Sequence, residues 1–249
     1  MSLSQSWSDA LDTGRNTIVI ALDIAGAFDR VWHGGLLSKL TSLGISGGLH
    51  TLLRDYLHGR TLSVVVKGHR SKQYPIKASV PQGSVLGPIL WNVFINDLLQ
   101  LVPGVTAYAD DCTLSVSYKR EESQAAIAQV NTALELIETW GHDGNPHLQQ
   151  KSQAMVISRS TEASSCINGK IIFGKSVLQM TNSISILGVS FDYCLRFDAY
   201  LKEIAKKAST RVTLLRRIIS LMPGACKCCA MPKYDPSWNT LLCHGCRHL

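Results

Sequence analysis

Two β-rich segments of this chain end in aspartates, and this arrangement constrains the fold more than any other feature. Residues 17–22 are closed by Asp23, and Asp110 and Asp111 lie between two further β-rich runs. The pattern predicts a strand before Asp23 and a tight hairpin around the other two acids. Strands that deliver carboxylates to one sheet edge favour a divalent-cation site, because Mg²⁺ prefers oxygen ligands. For an isolated Asp-Asp pair, the alternative is an ordinary hairpin turn.

The composition is that of a basic, globular protein. The 249 residues are 45% hydrophobic and 17% charged, which excludes a mainly disordered chain. A formal net charge of +7 and a pI near 9.0 are compatible with nucleic acid as a partner. No secretory signal is visible, and no apolar run approaches the roughly 20 residues of a membrane span. An intracellular protein without a membrane partner is therefore expected; the sequence indicates no oligomeric state.

Periodicity predicts alternating helices and strands, and therefore an α+β fold with an antiparallel sheet covered by helices on one face. Residues 1–15 show no clear pattern. The predicted helices cover residues 27–43 (with a break at Gly34 and Gly35), 49–57, 85–101, 121–140 and 197–221. The predicted strands cover residues 16–23, 60–66, 73–78, 105–108, 112–116, 154–158, 171–173 and 185–189.

Four segments resemble, in order and approximate spacing, the motifs of reverse transcriptases from non-LTR retrotransposons. Residues 21–33 (ALDIAGAFDRVWH) resemble the first palm motif, and residues 79–90 (SVPQGSVLGPIL) resemble the second. Residues 108–111 (YADD) are similar to the third, and residues 186–192 (ILGVSFD) are similar to the primer-grip segment. The resemblance covers about residues 17–221.

This resemblance implies a right-hand fold of fingers, palm and thumb. Residues 16–195 would form the palm with the primer grip, as an antiparallel sheet backed by helices, and residues 196–224 a partial thumb helix. Residues 1–15 would be a residual connection to the fingers. The fingers themselves, whose basic residues hold the triphosphate, are expected to be missing, so this chain alone is expected to have little or no polymerase activity.

The implied reaction is that of an RNA-directed DNA polymerase. Deoxynucleoside triphosphates would be added to a DNA primer 3′-hydroxyl along an RNA template, with two Mg²⁺ ions, or with Mn²⁺ instead. Asp23 and Asp110 would ligate both ions, with Asp111 beside them, and the Ile24 carbonyl would complete one coordination shell. Two ions about 3.5–4 Å apart can clamp the attacking and leaving oxygens. The alternative is a catalytically inactive retroelement remnant or a nucleic-acid-binding fragment.

The resemblance also implies a substrate site. Phe28 would stand beneath the incoming sugar and clash with a 2′-hydroxyl, whereas a core phenylalanine is the alternative. Gln82 and Gly83 would lie against the nucleotide and template, unless residues 81–84 form an ordinary turn. Tyr108 belongs to the same substrate site.

Further contacts are implied for the leaving group and for nucleic acid. Lys151 is the candidate for the lysine that faces the pyrophosphate, where a positioned ammonium can stabilise charge or donate a proton. Leu148 stands where the family usually has Asn, so a surface lysine is the alternative. The primer grip and the basic face of the thumb helix would contact nucleic acid through Leu187, Gly188, Lys202, Lys206 and Arg211.

The tail, residues 225–249, has two interpretations. Its cysteines have a spacing suitable for a structural zinc site. Alternatively, the coding frame has shifted before this segment. When plausible codons for residues 227–249 are read in another frame, they encode a sequence similar to the one that follows the thumb helix start in this family. We expect a frameshift product without zinc and without a folded metal module. The cysteines with that spacing are Cys226, Cys229, Cys243 and Cys246.

Overall fold

The chain folds around a four-stranded antiparallel sheet. The computed structural model describes residues 3–24, 26–142, 152–160 and 162–221. Its helices are α1 Leu3–Asp12, α2 His33–Ser42, α3 Gly47–Leu57, α4 Leu86–Leu101, α5 Ser123–His142, α6 Glu162–Ile167 and α7 Asp198–Leu221. Its strands are β1 Asn16–Asp23, β2 Thr61–Leu62, β3 Val65–Val66, β4 His69–Arg70, β5 Tyr74–Pro75, β6 Val105–Tyr108, β7 Asp111–Tyr118, β8 Gln153–Ile157, β9 Ile172–Phe173, β10 Ser176–Val177, β11 Ser183–Ile186 and β12 Val189–Asp192.

The main sheet has the strand order β6-β7-β1-β8, with β1 between two antiparallel neighbours. The pairing of β1 with β7 runs from Asn16 opposite Tyr118 to Asp23 opposite Asp111. The remaining strands form two-stranded ribbons: β2 with β5, β3 with β4, β9 with β10, and β11 with β12. The chain divides into two compact units, Met1–Tyr200 and Leu201–Leu249.

Strand β1 is almost continuously apolar because both of its faces are buried. Ile18 and Ile20 belong to the larger core, which includes Trp91 and Phe94 of α4. On the other face, Val19 belongs to a second core with residues of α1, β8 and β11. The prediction that helices cover one face is therefore incomplete, since α1 and the β11–β12 ribbon cover the second face.

Two local differences from the sequence-based prediction have physical reasons. The N-terminal segment, which shows no clear pattern, contains the helix α1, and Trp7 of this helix is fully buried at 1% exposure. Gly34 and Gly35 do not break a helix but lie in the first turn of α2. A Cβ at these glycines would come within 2.9 and 2.7 Å of the Trp32 ring, so glycine makes room for that ring.

The predicted strand at residues 185–189 is wrong. The chain reverses there, with β11 ending at Ile186 and β12 beginning at Val189. Leu187 and Gly188 form the two-residue turn with φ values of 51° and 76°. Positive φ at both positions is typical of hairpin turns whose twist matches that of the strands.

Other predicted secondary-structure elements are confirmed. The hairpin at the Asp-Asp pair is present, as are α4 and α5, and residues 60–78 form a hairpin in two short ribbons. Within the described ranges, no helix combines the length and apolar character needed to span a membrane. The apolar face of α5 is buried at Ala126, Val130, Ala133, Leu134 and Ile137.

Candidate active site

The sheet register brings two of the predicted acids together. Asp23 is the last residue of β1 and lies directly opposite Asp111, the first residue of β7. Tyr108 pairs with Asp111 across the β6–β7 hairpin, so Ala109 and Asp110 form its two-residue turn. Directly opposed residues in an antiparallel pair have Cβ atoms about 4.5–5.5 Å apart. The result is a cross-strand carboxylate pair, with the third carboxylate on the adjacent turn.

Ionisation of Asp111 is unfavourable, because the residue is partly buried and lies beside other carboxylates. Burial raises the pKa of Asp111 above its ordinary value, and the neighbouring charges of Asp110 and, more weakly, Asp23 raise it further. A hydrogen bond from the backbone of Leu187 acts in the opposite direction and lowers the pKa. Clustered carboxylates of this kind favour a bound cation, which would relieve their repulsion.

The donor set suits a hard divalent cation, since it consists of carboxylate oxygens. However, in the part of the chain that the structure describes, no three His, Cys, Asp or Glu side chains are grouped so as to hold a metal ion. The predicted metal site therefore stays a prediction. The Ile24 carbonyl, its predicted backbone ligand, accepts a hydrogen bond from the Ala27 N–H at 3.2 Å. A carbonyl oxygen has a second lone pair available for a ligand.

The tip of the β11–β12 ribbon contributes to the same site. The backbone of Leu187 lies close enough to Asp111 to lower the pKa of that carboxyl, so the predicted primer-grip turn lies beside Asp111. The Leu187 side chain is 54% exposed, and Gly188 follows it in the left-handed conformation. These two predicted nucleic-acid residues therefore lie beside the predicted catalytic acids.

Phe28 is connected to the hairpin turn through Trp91, a residue that the sequence analysis missed. The half-buried Phe28 ring lies 5.5 Å from the ring of Trp91, measured between centroids. Trp91 in turn donates its indole N–H to the Ala109 carbonyl at 2.6 Å. A tryptophan inside a buried helix was the available signal, because a buried indole N–H needs an acceptor.

The segment with Gln82 is docked onto the segment with Phe28. The N–H of Val80 donates to the Phe28 carbonyl at 2.8 Å, and the loop then leads to Gln82 at the surface. The Gln82 Nε2 donates to Asp29 Oδ1 at 3.0 Å, a partner that sequence reasoning did not identify. Gly83 adopts a φ of 77°, and a Cβ there would meet open space. Glycine is thus required by the backbone conformation of this turn.

The remaining predicted residues are more scattered. Tyr108 is 70% exposed beside the acid hairpin. Lys151 and the tail cysteines lie outside the described residues, so their predicted roles stay predictions. On α7, the side chain of Lys207 pairs with Glu203 at 2.6 Å. The predicted nucleic-acid residues of that helix, all exposed, are Lys202, Lys206 and Arg211.

Comparison with known proteins identifies relatives over most of the chain. Residues 2–191 match the family described as reverse transcriptase (RNA-dependent DNA polymerase). The RNA-directed DNA polymerase from mobile element jockey of Drosophila funebris is 34% identical over 80% of this chain and 22% of its own length. Its counterpart from Drosophila melanogaster is 30% identical over 85% of this chain and 24% of its own length. This chain therefore spans about a quarter of the length of these relatives.

A solved structure shares the fold. Apo telomerase from Candida tropicalis, truncated from its C-terminal domain, aligns with a TM-score of 0.50 at 15% identity. The alignment covers 78% of this chain and 38% of the telomerase chain. The family match, the jockey relatives and the mixed fold of helices and antiparallel sheet agree: the chain belongs to the reverse transcriptase family, of the type encoded by non-LTR retrotransposons.

Proposed function

We propose that this chain provides the palm and part of the thumb of a retrotransposon reverse transcriptase. The reaction is RNA-templated addition of deoxynucleotides to a DNA primer 3′-hydroxyl. The observation that carries the proposal is the placement of Asp23 opposite Asp111, with Asp110 on the adjoining turn. The main sheet with its helices corresponds to the palm, and α7 corresponds to the start of the thumb.

The acids are proposed to hold the divalent ions of the reaction. Asp23, Asp110 and Asp111 supply carboxylate oxygens, and the Ile24 carbonyl supplies one more oxygen. When bound, Mg²⁺ ions of a two-metal site stabilise the attacking and leaving oxygens of a phosphoryl transfer. The raised pKa of Asp111, which comes from burial and from the charge of Asp110, is consistent with a site in which a bound cation would relieve the repulsion between carboxylates.

Phe28 is proposed to select the sugar. Its half-buried ring packs on the larger core, against Trp91, and would present a fixed surface to an incoming nucleotide. A rigid aromatic wall rejects a 2′-hydroxyl by steric exclusion, which is how specificity is built against a closely similar substrate. Gln82 and Tyr108 are exposed near this wall and are proposed to contact the nucleotide.

Nucleic acid is proposed to contact the ribbon tip and α7. Leu187 and Gly188 would position the primer end, because their turn touches Asp111. On α7 the cations outnumber the acids, and Lys202 and Lys206 are exposed. Contacts of this kind with phosphates are independent of sequence and weaken steeply with salt.

Single-turnover primer addition tests the proposal. The purified chain, in excess over a labelled DNA primer on an RNA template, is mixed with one deoxynucleotide and Mg²⁺ or Mn²⁺. Because this chain alone is expected to have little polymerase activity, the single addition is followed over a long time course. We expect any addition to be of the base complementary to the template only, and to be at least about 100-fold slower in Asp110→Asn, because the carboxylates act in the transition state. The matched control is Asp55→Asn, an exposed acid on α3.

The outcomes separate the proposal from its rival. Addition that ignores the template base, or that survives Asp110→Asn unchanged, contradicts the proposed chemistry. If no addition occurs but the chain still binds the primer–template in a salt-dependent manner, the inactive nucleic-acid-binding remnant is the better description.

A further inference from the structure

Trp91 connects the acid hairpin to the core of the protein. Its side chain is fully buried in α4, at 0% exposure. Its indole N–H donates to the carbonyl of Ala109 at 2.6 Å, a short distance for an N–H to oxygen bond. Ala109 immediately precedes Asp110, so this hydrogen bond holds the turn at the point where it presents the carboxylates.

The turn needs such support because its backbone conformation is unfavourable. Ala109 has a φ of 53°, in the left-handed region that residues with a Cβ adopt at a cost. Glycine or asparagine would be the usual residue at this position of a two-residue hairpin. A buried donor that captures the carbonyl of Ala109 offsets part of this cost and restricts the alternatives open to the turn.

The position of Trp91 is itself fixed by aromatic packing. Its ring stacks on Phe94, one turn further along α4, with centroids 6.2 Å apart and planes 29° apart. On another side it contacts Phe28, the proposed sugar-selecting residue, at 5.5 Å. One rigid side chain therefore touches both the turn that carries the acids and the ring that faces the nucleotide.

We propose that Trp91 is a positioning residue that sets the carboxylates of the Asp110–Asp111 hairpin through the carbonyl of Ala109. It does not touch the substrate or the ions. The effect of Trp91 on ion binding rests on the proposed function, in which these acids are the ligands of the ions. Its effect on the hairpin does not depend on that function.

The test compares Trp91→Phe with Leu98→Val in the full 249-residue chain. Trp91→Phe keeps an aromatic ring but removes the donor, whereas Leu98→Val disturbs the same helix and core two turns further along α4, and leaves the rings around Trp91 in place. Two quantities are measured: amide hydrogen exchange of residues 106–113, with β8 as an internal reference, and Mn²⁺ affinity by electron paramagnetic resonance.

For Trp91→Phe we expect amide exchange in the hairpin to become about fivefold faster relative to β8. This factor corresponds to the net free energy of one hydrogen bond, about 1 kcal/mol. Mn²⁺ affinity should fall about tenfold, the low end of the effect of losing a group that orients metal ligands. Leu98→Val should change neither the relative exchange rate nor the Mn²⁺ affinity, even if it lowers the stability of the whole fold.

Equal changes in the two variants would overturn the proposal, since they would indicate a general effect on the core. Faster exchange with unchanged Mn²⁺ affinity would also overturn it, because Trp91 would then hold the turn without setting the carboxylates. If the unsubstituted chain binds no Mn²⁺, the metal assignment of the proposed function fails, while the exchange comparison still decides whether Trp91 holds the hairpin.

Discussion

Replacement of Asp111 by asparagine should stabilise the fold while it removes a proposed ligand. The pKa of Asp111 is raised by burial and by the charge of Asp110, so the ionised side chain is less favourable in the folded chain than in the unfolded chain. Its contribution to stability is therefore most favourable at a pH below the ordinary aspartate pKa. That contribution is lost as the pH rises through the raised, folded-state pKa.

The magnitude follows from the strand register. Asp23 and Asp111 are directly opposed, and removal of a like-charge cross-strand pair is worth about 0.2–1 kcal/mol. Asparagine keeps the shape and retains a carbonyl oxygen that can accept the hydrogen bond from Leu187. For a chain of this size, about 1 kcal/mol corresponds to a rise in melting temperature of roughly 2–4 °C.

The assay is thermal unfolding followed by circular dichroism, at neutral pH with a chelator, at acidic pH, and at neutral pH with excess Mg²⁺. The Asp111→Asn chain should melt higher than the unsubstituted chain at neutral pH without metal, and this advantage should disappear in acid. Mg²⁺ should raise the melting temperature of the unsubstituted chain more than that of the variant, because binding to the folded state stabilises it.

Asp55→Asn is the control, because Asp55 is an exposed residue of α3 and such substitutions usually stay within about 0.5 kcal/mol. The reasoning is refuted if Asp111→Asn lowers the melting temperature at neutral pH without metal. It is equally refuted if Mg²⁺ raises both melting temperatures by the same amount.

Three further predictions concern other parts of the same unit. Burial, with the nearby Asp111 charge, raises the pKa of the Cys112 thiol to about 12. In the native chain, iodoacetamide should therefore alkylate the exposed Cys166 far faster than Cys112, as measured by mass spectrometry. Equal rates at the two cysteines would contradict this. Asp192→Ala removes a carboxylate that accepts three backbone N–H bonds, and urea unfolding should show a loss of about 2 kcal/mol. In a version of the protein with the fingers restored, Phe28→Ala should raise ribonucleotide addition relative to deoxynucleotide addition, and an unchanged ratio would make Phe28 a core residue only.

Local periodicity predicted those elements whose burial repeats along the sequence. Strand β1, with its run of apolar residues, and α5, with its apolar stripe, were both identified. Helix α1 was missed because its sequence is largely polar, although Trp7 and Leu11 are spaced as one helical face. Weak amphipathic helices of this kind are stabilised by tertiary packing, which a local pattern does not reveal.

The turn at Leu187 illustrates a different limit. Residues 183–186 alternate polar and apolar, and apolar residues recur at Leu187 and Val189, so the pattern favoured one strand. Gly188 was the available signal, because two-residue hairpin loops require positive φ. Leucine rarely adopts a positive φ, so the presence of Leu187 argued against a turn at this position.

The contacts that support the candidate site are long-range, and this explains why the sequence identified the acids but not their supports. Trp91 reaches Ala109, and Gln82 reaches Asp29, through packing that no local pattern encodes. The acids themselves came from the family motifs, whose order along the chain does not specify strand pairing.

The register that brings Asp23 opposite Asp111 is a consequence of the core. Successive side chains of β1 point to opposite faces, with Ile18 and Ile20 in one core and Val19 in the other. A slip of one residue against β7 would exchange these faces, and it would also move Asp23 out of line with Asp111. Because both faces of β1 are buried, the apolar residues of this strand set the geometry of the carboxylates at its end, and packing and chemistry are specified by the same residues.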